Sequence, residues 1–177
     1  YARIDRTSND VAVTCGESVE TGAEYIVEGV WNGDFAQGDF GTTDCFFGSG
    51  LIVRNDEILI VSSAATTDAL AYADSPGEFV VSNSLPLLLA VLGDTLRPDF
   101  LEYDRILNSV LNGIFRYERD LPTTGGTVHL MVHWNGRIKS GNLELYEKDM
   151  PPPFADYESY VGYIRENYKL IAENARS

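Results

Sequence analysis

The chain has 177 residues, 44% of them hydrophobic and 23% charged, which fits one folded domain with a buried core and excludes a disordered polymer. Its net charge of -14, from 13 basic and 27 acidic residues, has the wrong sign for electrostatic binding to nucleic acid or an anionic membrane surface. No apolar run reaches the roughly 20 residues needed to cross a bilayer and no basic-then-apolar signal segment opens the sequence, so a soluble, cytoplasmic protein is expected.

Only Lys139, Lys148 and Lys169 are lysines, and an acidic, lysine-poor surface fits solubility in high salt. Cys15 and Cys45 allow at most one disulfide, which a domain of this size does not need, so reduced thiols are expected.

Up to Gly41 the sequence reads as short strands, with apolar islands at Val11 to Val13 and Tyr25 to Val30 and a turn at Trp31-Asn32-Gly33-Asp34. Cys45 to Val53 and Glu57 to Val61 flank the polar turn Arg54-Asn55-Asp56, which predicts a β-hairpin. Ser75-Pro76-Gly77 is a turn, and Glu78 to Ser82 follows as a strand. Ser82-Asn83-Ser84 supplies an N-cap for a helix over Leu85 to Leu92, with Pro86 in its first turn and Gly93 at its end.

A second helix is predicted from about Asp99 to Asn112, with Phe100, Tyr103, Ile106, Leu107, Val110 and Leu111 on one face and Gly113 closing it. Thr127 to Trp134 alternates as a strand: Val128, Leu130, Val132 and Trp134 face one way, and His129, Met131 and His133 the other. Asn135-Gly136 is a strong hairpin-turn signal, with Arg137 to Tyr146 expected as the returning strand. Pro151-Pro152-Pro153 is a stiff extended linker, and Phe154 to Ala175 predicts an amphipathic helix whose apolar side carries Tyr157, Tyr160, Val161, Ile164, Tyr168 and Ile171.

Several stretches carry a resemblance: Leu59 to Ala73 with its Leu70-Ala71-Tyr72, Phe79-Val80-Val81-Ser82-Asn83-Ser84-Leu85, Leu87-Leu88-Leu89, Leu121-Pro122 with Gly125-Gly126, and Asn135-Gly136-Arg137-Ile138. In order and texture, residues 40 to 177 resemble the amidotransferase half of asparagine synthetases, a class II glutamine amidotransferase-like domain. The resemblance implies an α/β (α+β) fold of the N-terminal-nucleophile type, with two layers of antiparallel sheet flanked by helices. It implies an amidotransferase-like domain over residues 1–150, then a Pro-rich linker and helix over 151–177 that lead to a downstream or separate synthetase domain.

The departures matter as much. The family opens with a nucleophilic cysteine whose α-amine acts as base, whereas position 1 here is Tyr1. The family's arginine-aspartate turn reads Ser62-Ser63-Ala64-Ala65, and no counterpart of its asparagine-glycine-glutamate segment is found. The expected function is therefore a glutaminase-inactive, pseudoenzyme-like domain of an asparagine synthase-like, ATP-dependent ligase. No cofactor is expected in this domain; ATP and magnesium would belong to a synthetase domain, the expected partner unless the chain pairs with itself. The alternative is a stand-alone binding or interaction module without catalysis, using the tyrosine-rich helix.

Cys15-Gly16 echoes the family's opening dipeptide, so Cys15 is a candidate nucleophile if cleavage precedes it. Its bland reading is a small core residue ending a strand. Cys45, beside Phe46 and Phe47, reads as buried and inert. His129 and His133 have the spacing of helical zinc ligands, but on a strand they would stand about 13 Å apart, at about 3.3 Å per residue, too far for one metal. Asp34, Asp39 and Asp44 read as a solvated acidic face rather than a calcium loop, and Ser62-Ser63 and Thr66-Thr67-Asp68 as caps and turn bonds. Gly125-Gly126 is too short for a phosphate cradle. Tyr157, Tyr160, Ile164 and Tyr168 are the candidate interface residues.

Overall fold

The structure, a computed structural model, describes residues 1–151 and 153–175. Twelve strands and three α-helices follow in chain order: β1 (Ala2–Asp5), β2 (Val11–Val13), β3 (Glu20–Thr21), β4 (Tyr25–Trp31), β5 (Phe46–Arg54), β6 (Glu57–Val61), β7 (Leu70–Asp74), β8 (Glu78–Ser82), α1 (Leu85–Leu92), α2 (Tyr103–Asn108), β9 (Asp120–Pro122), β10 (Thr127–Met131), β11 (Trp134–Lys139), β12 (Asn142–Glu147) and α3 (Tyr157–Asn174). They form two six-stranded sheets, ordered β2-β1-β8-β7-β10-β9 and β12-β11-β6-β5-β4-β3, with every pairing antiparallel. Two antiparallel sheets with flanking helices make this an α+β protein.

Period-two alternation decides which side chains go where. From the first sheet Ile4, Leu70, Phe79 and Val81 meet Leu51, Ile58, Ile60 and Ile138 of the second in one buried cluster. The intervening residues Ala71, Val80, Val128 and Leu130 point to the other side of the first sheet, under Leu88 of α1 and Ile106 of α2. The far side of the second sheet carries Val27, Trp31, Phe46, Ile52 and Val61, capped by Phe40 from a 3-10 turn at Phe40–Thr42. Each such large side chain contributes about 1.5–3 kcal/mol by leaving water. Gly50 makes the last packing feasible, because a Cβ there would lie 2.4 Å from the Phe40 ring.

The β5-β6 hairpin turns at Asn55-Asp56, with Asn55 at φ +53, a conformation asparagine tolerates well. α1 spans the expected residues, with the Ser84 hydroxyl accepting from Leu87 N and Gly93 at φ +66 closing the end.

The structure corrects the expected strand over Thr127 to Trp134 and the turn at Asn135-Gly136. The chain leaves the first sheet after Met131, bends at His133 with φ +60, and enters the second sheet at Trp134. Asn135 and Gly136 lie inside β11, where Gly136 pairs with both Ile60 and Leu145. The hairpin turns instead at Ser140-Gly141, both at positive φ as a type I′ turn requires. Met131, expected on a polar face, is fully buried between the sheets. Asn135 was available for a turn, but its side chain is committed elsewhere, as shown below.

The second helix is also shorter than its periodicity predicts. α-Helix is confined to Tyr103–Asn108, and Ser109–Asn112 tightens to 3-10. That change of period breaks the apolar stripe: Ile106 is buried, whereas Leu107 and Leu111 face outward. Tyr103 is held by its hydroxyl, which donates to the Pro122 carbonyl.

α3 starts on a capping box, Asp156 and Ser159 satisfying each other's backbone N–H groups. Polar residues anchor it on β4; of the predicted apolar side, Tyr157, Tyr160 and Tyr168 are exposed and Val161, Ile164 and Ile171 are half-buried. Asn174 accepts from Trp31 N at 3.4 Å and donates to Gly33 O at 3.2 Å, while Asn32 donates to Asn167 at 2.5 Å.

Candidate functional site

The two sheets part at the end where β1 and β2 meet β4 and β5, leaving a cavity of about 290 Å³. Ala2 and Val81 of the first sheet wall it on one side, with Val13 of β2 and Leu70 of β7. Ile26, Leu51 and Ile60 of the second sheet wall it on the other. The alternation that buries Val81 and Leu51 between the sheets is what turns these apolar side chains into the cavity. Tyr1, Thr14 and Cys15 stand along its rim.

A second, polar hollow of about 580 Å³ shares Glu28, Ser49, Leu70 and Asn83 with the first, so the two meet along these residues. Ser63, Thr67, Asp68 and Ser84 add polar groups to its lining, beside Ala69, Leu85 and Pro86. Asn83 holds the junction: its Nδ2 donates to Glu28 Oε2 at 3.0 Å and to Ser49 Oγ at 3.3 Å. Gly48 permits this approach of β5 to β4, since a Cβ there would lie 2.0 Å from the Glu28 carbonyl oxygen. The result is a cleft with an apolar floor and an acceptor-rich, acidic mouth. No lysine, arginine or histidine lines either part among the described residues.

Cys15 is not the small core residue that its sequence context suggested. β2 ends at Val13, and Cys15 follows as an exposed thiol on the cleft rim, with no hydrogen bond to a base among the described residues. Cys45 is half-buried rather than fully enclosed. Its Sγ lies 3.4 Å from Tyr163 Oη, and burial pushes its thiol pKa up, which disfavours the thiolate.

The histidines are separated by the bend at His133. His129 Nδ1 lies 2.8 Å from Asp120 and its ring stacks on Tyr72 at 5.0 Å. His133 instead places Nδ1 3.3 Å from the Ala64 carbonyl oxygen, and burial pushes its pKa down. No group of three or more histidine, cysteine, aspartate or glutamate side chains capable of holding a metal occurs among the described residues.

The three aspartates each have a local task. Asp34 caps a 3-10 turn by accepting from Ala36 N, Asp39 accepts from Trp31 Nε1 at 2.6 Å, and Asp44 accepts from the Tyr163 hydroxyl. Ser63 Oγ accepts from Ala65 N, a turn bond, and Gly125 N donates to Asp94, whose pKa falls to about 2 through the hydroxyls of Thr123 and Thr124.

One cluster had no signal in the sequence. Lys148 is 4% exposed, and its Nζ donates to Asn135 Oδ1 at 2.7 Å, while the same oxygen accepts from Ser62 N at 3.2 Å. Burial pushes the Lys148 pKa down to about 8. This is the task that takes Asn135 out of the turn. The cluster lines neither part of the cleft.

On α3, Tyr157, Tyr160 and Tyr168 are exposed at 77%, 44% and 69%, while Ile164 is half-buried. Phe154 packs edge-on against Tyr160 at 5.3 Å, and Tyr157 lies 6.5 Å from Tyr160. None of the described helices is long and apolar enough to cross a membrane. No protein-family model, curated protein or solved structure matches the chain.

Proposed function

We propose that this chain is an amidotransferase-like domain, of the kind that precedes an asparagine synthase-like ligase, in which the cleft between the sheets persists without glutaminase chemistry. What supports the fold half of this reading is the layering: two facing antiparallel sheets with helices outside the first. The observation that favours the loss of glutaminase chemistry is Cys15, whose exposed thiol stands on the cleft rim and hydrogen-bonds no base among the described residues.

The exposed aromatic group on α3 favours a further element of this proposal. Tyr157, Tyr160 and Tyr168 form a surface of the kind that docks a partner domain, because each ring has an apolar body and a hydrogen-bonding tip. In this reading α3 faces the synthetase domain, which would bring ATP and magnesium. The same surface suits the alternative of a stand-alone interaction module.

Two measurements test the proposal. Ammonia release from glutamine should equal the protein-free rate; release above it that Cys15→Ala abolishes would overturn the inactive reading. A reading frame that continues past Ser177 into a pyrophosphate-binding loop supports the ligase half, and one without such a loop removes it.

A further inference from the structure

We propose that the cleft between the sheets is a binding site for a small organic cation: a primary or secondary amine carried on an apolar body about the size of a phenyl ring with a short chain. The inference rests on the lining of the cleft alone, and stands or falls separately from the amidotransferase reading.

Size sets the body. An apolar cavity of roughly 150 Å³ accepts benzene, so the 290 Å³ chamber walled by Val13, Ile26, Leu51 and Val81 has room for a ring and a two- or three-carbon chain. An apolar ligand part entering this chamber gains hydrophobic stabilisation without displacing any hydrogen-bonded group from its walls.

Charge sets the head. The chamber opens onto Glu28, and the adjoining hollow adds Asp68. Asn83 fixes Glu28 through one carboxylate oxygen only, so the other oxygen and Asn83 Oδ1 accept no hydrogen bond among the described residues. A protonated amine supplies both the donors these acceptors need and the positive charge that balances the carboxylates. With no basic side chain lining either part among the described residues, the Glu28 and Asp68 carboxylates disfavour a carboxylate or phosphate head, and the Tyr1 ammonium on the rim is held by the Thr14 carbonyl oxygen. The net charge of -14 works in the same direction, raising the local concentration of cations.

The test compares three probes that share a body, measured by titration calorimetry at low salt: phenethylamine, 3-phenylpropionate and toluene. Phenethylamine should bind at least tenfold more tightly than 3-phenylpropionate, and its affinity should weaken as potassium chloride rises. Glu28→Gln should weaken phenethylamine at least tenfold and leave toluene unchanged. Glu28 is exposed, so that variant should keep its fold, which circular dichroism checks; Asp68→Asn is the second variant and should weaken the amine in the same direction. Equal affinity for amine and carboxylate, no binding of the amine, or amine affinity indifferent to both substitutions overturns the proposal. A glutaminase signal would overturn the reading of the previous section and leave this one standing.

Discussion

Replacing Lys148 with methionine should stabilise the protein near neutral pH, and the gain should shrink as pH rises. The ammonium is buried against a neutral amide, Asn135, with no carboxylate at bonding distance among the described residues, so desolvation is not offset. A pKa that falls from 10.5 to about 8 on folding corresponds to about 3 kcal/mol, at roughly 1.4 kcal/mol per pH unit. Between those two values the unfolded chain holds the proton and the folded chain releases it, so stability rises with pH across that window. The cost is complete below the folded pKa and vanishes above the unfolded one. From about pH 7 to about pH 9.5 it should fall by about 2 kcal/mol. Half-buried Tyr146 and Cys45 have raised pKa values and act in the opposite sense at the alkaline end, but they are common to both proteins. The quantity to measure is therefore the stability difference between Lys148→Met and the parent in urea unfolding at the two pH values. A difference that stays constant with pH would refute the claim that a buried, titrating ammonium sits there.

Asn174→Ala should cost about 2 kcal/mol in the urea midpoint, since it strands Trp31 N and Gly33 O, whereas Tyr168→Ala should change stability by less than about 0.5 kcal/mol; the reverse order would mean that α3 docks by its tyrosines. Gly48→Ala should destabilise by about 3 kcal/mol or more, because φ is +148 and the added Cβ would press on the Glu28 carbonyl; an unchanged melting temperature would contradict the β4–β5 approach that shapes the cleft mouth. The melting temperature should rise with potassium chloride as the Debye length falls from about 10 Å at 0.1 M to about 3 Å at 1 M, and a flat curve would show that repulsion among 27 acidic residues is not limiting.

Local chemistry predicted well wherever it was the only demand on a residue. Ser84, Pro86 and Gly93 all act at the ends of α1, and the hairpin at Asn55-Asp56 needs nothing but asparagine's tolerance of positive φ. Prediction failed where a tertiary demand outbid the local one. Asn135-Gly136 carries a hairpin signal, yet Asn135 is 2% exposed and bonds two buried donors. At Gly136 a Cβ would lie 3.2 Å from Met131 and 3.3 Å from Ile60, so those side chains would have to give by a few tenths of an ångström. The turn moved to Ser140-Gly141, where both residues take positive φ and Gly141 packs closely on the Arg6 backbone. Period alone also could not place the break between β10 and β11. Alternation continues through Val132 and Trp134 even though the chain changes sheets at His133.

The cleft was illegible for a different reason. Its floor is assembled from Val13, Ile26, Leu51, Ile60 and Val81, one side chain from each of five strands, and each is an ordinary alternating aliphatic in its own segment. Its mouth takes Glu28, Asp68 and Asn83 from three places more than ten residues apart, so no spacing joins them. What does join them is the register of the strands: Glu28 stands opposite Ser49, and Asn83 reaches both from the end of β8. A one-residue slip between β4 and β5 would turn Glu28 to the other face relative to Ser49 and dissolve the mouth. The glycine pair Gly29 and Gly48, facing each other in that ladder, is what the sequence does show. It marks where two strands approach too closely for side chains, and the cleft opens beside it.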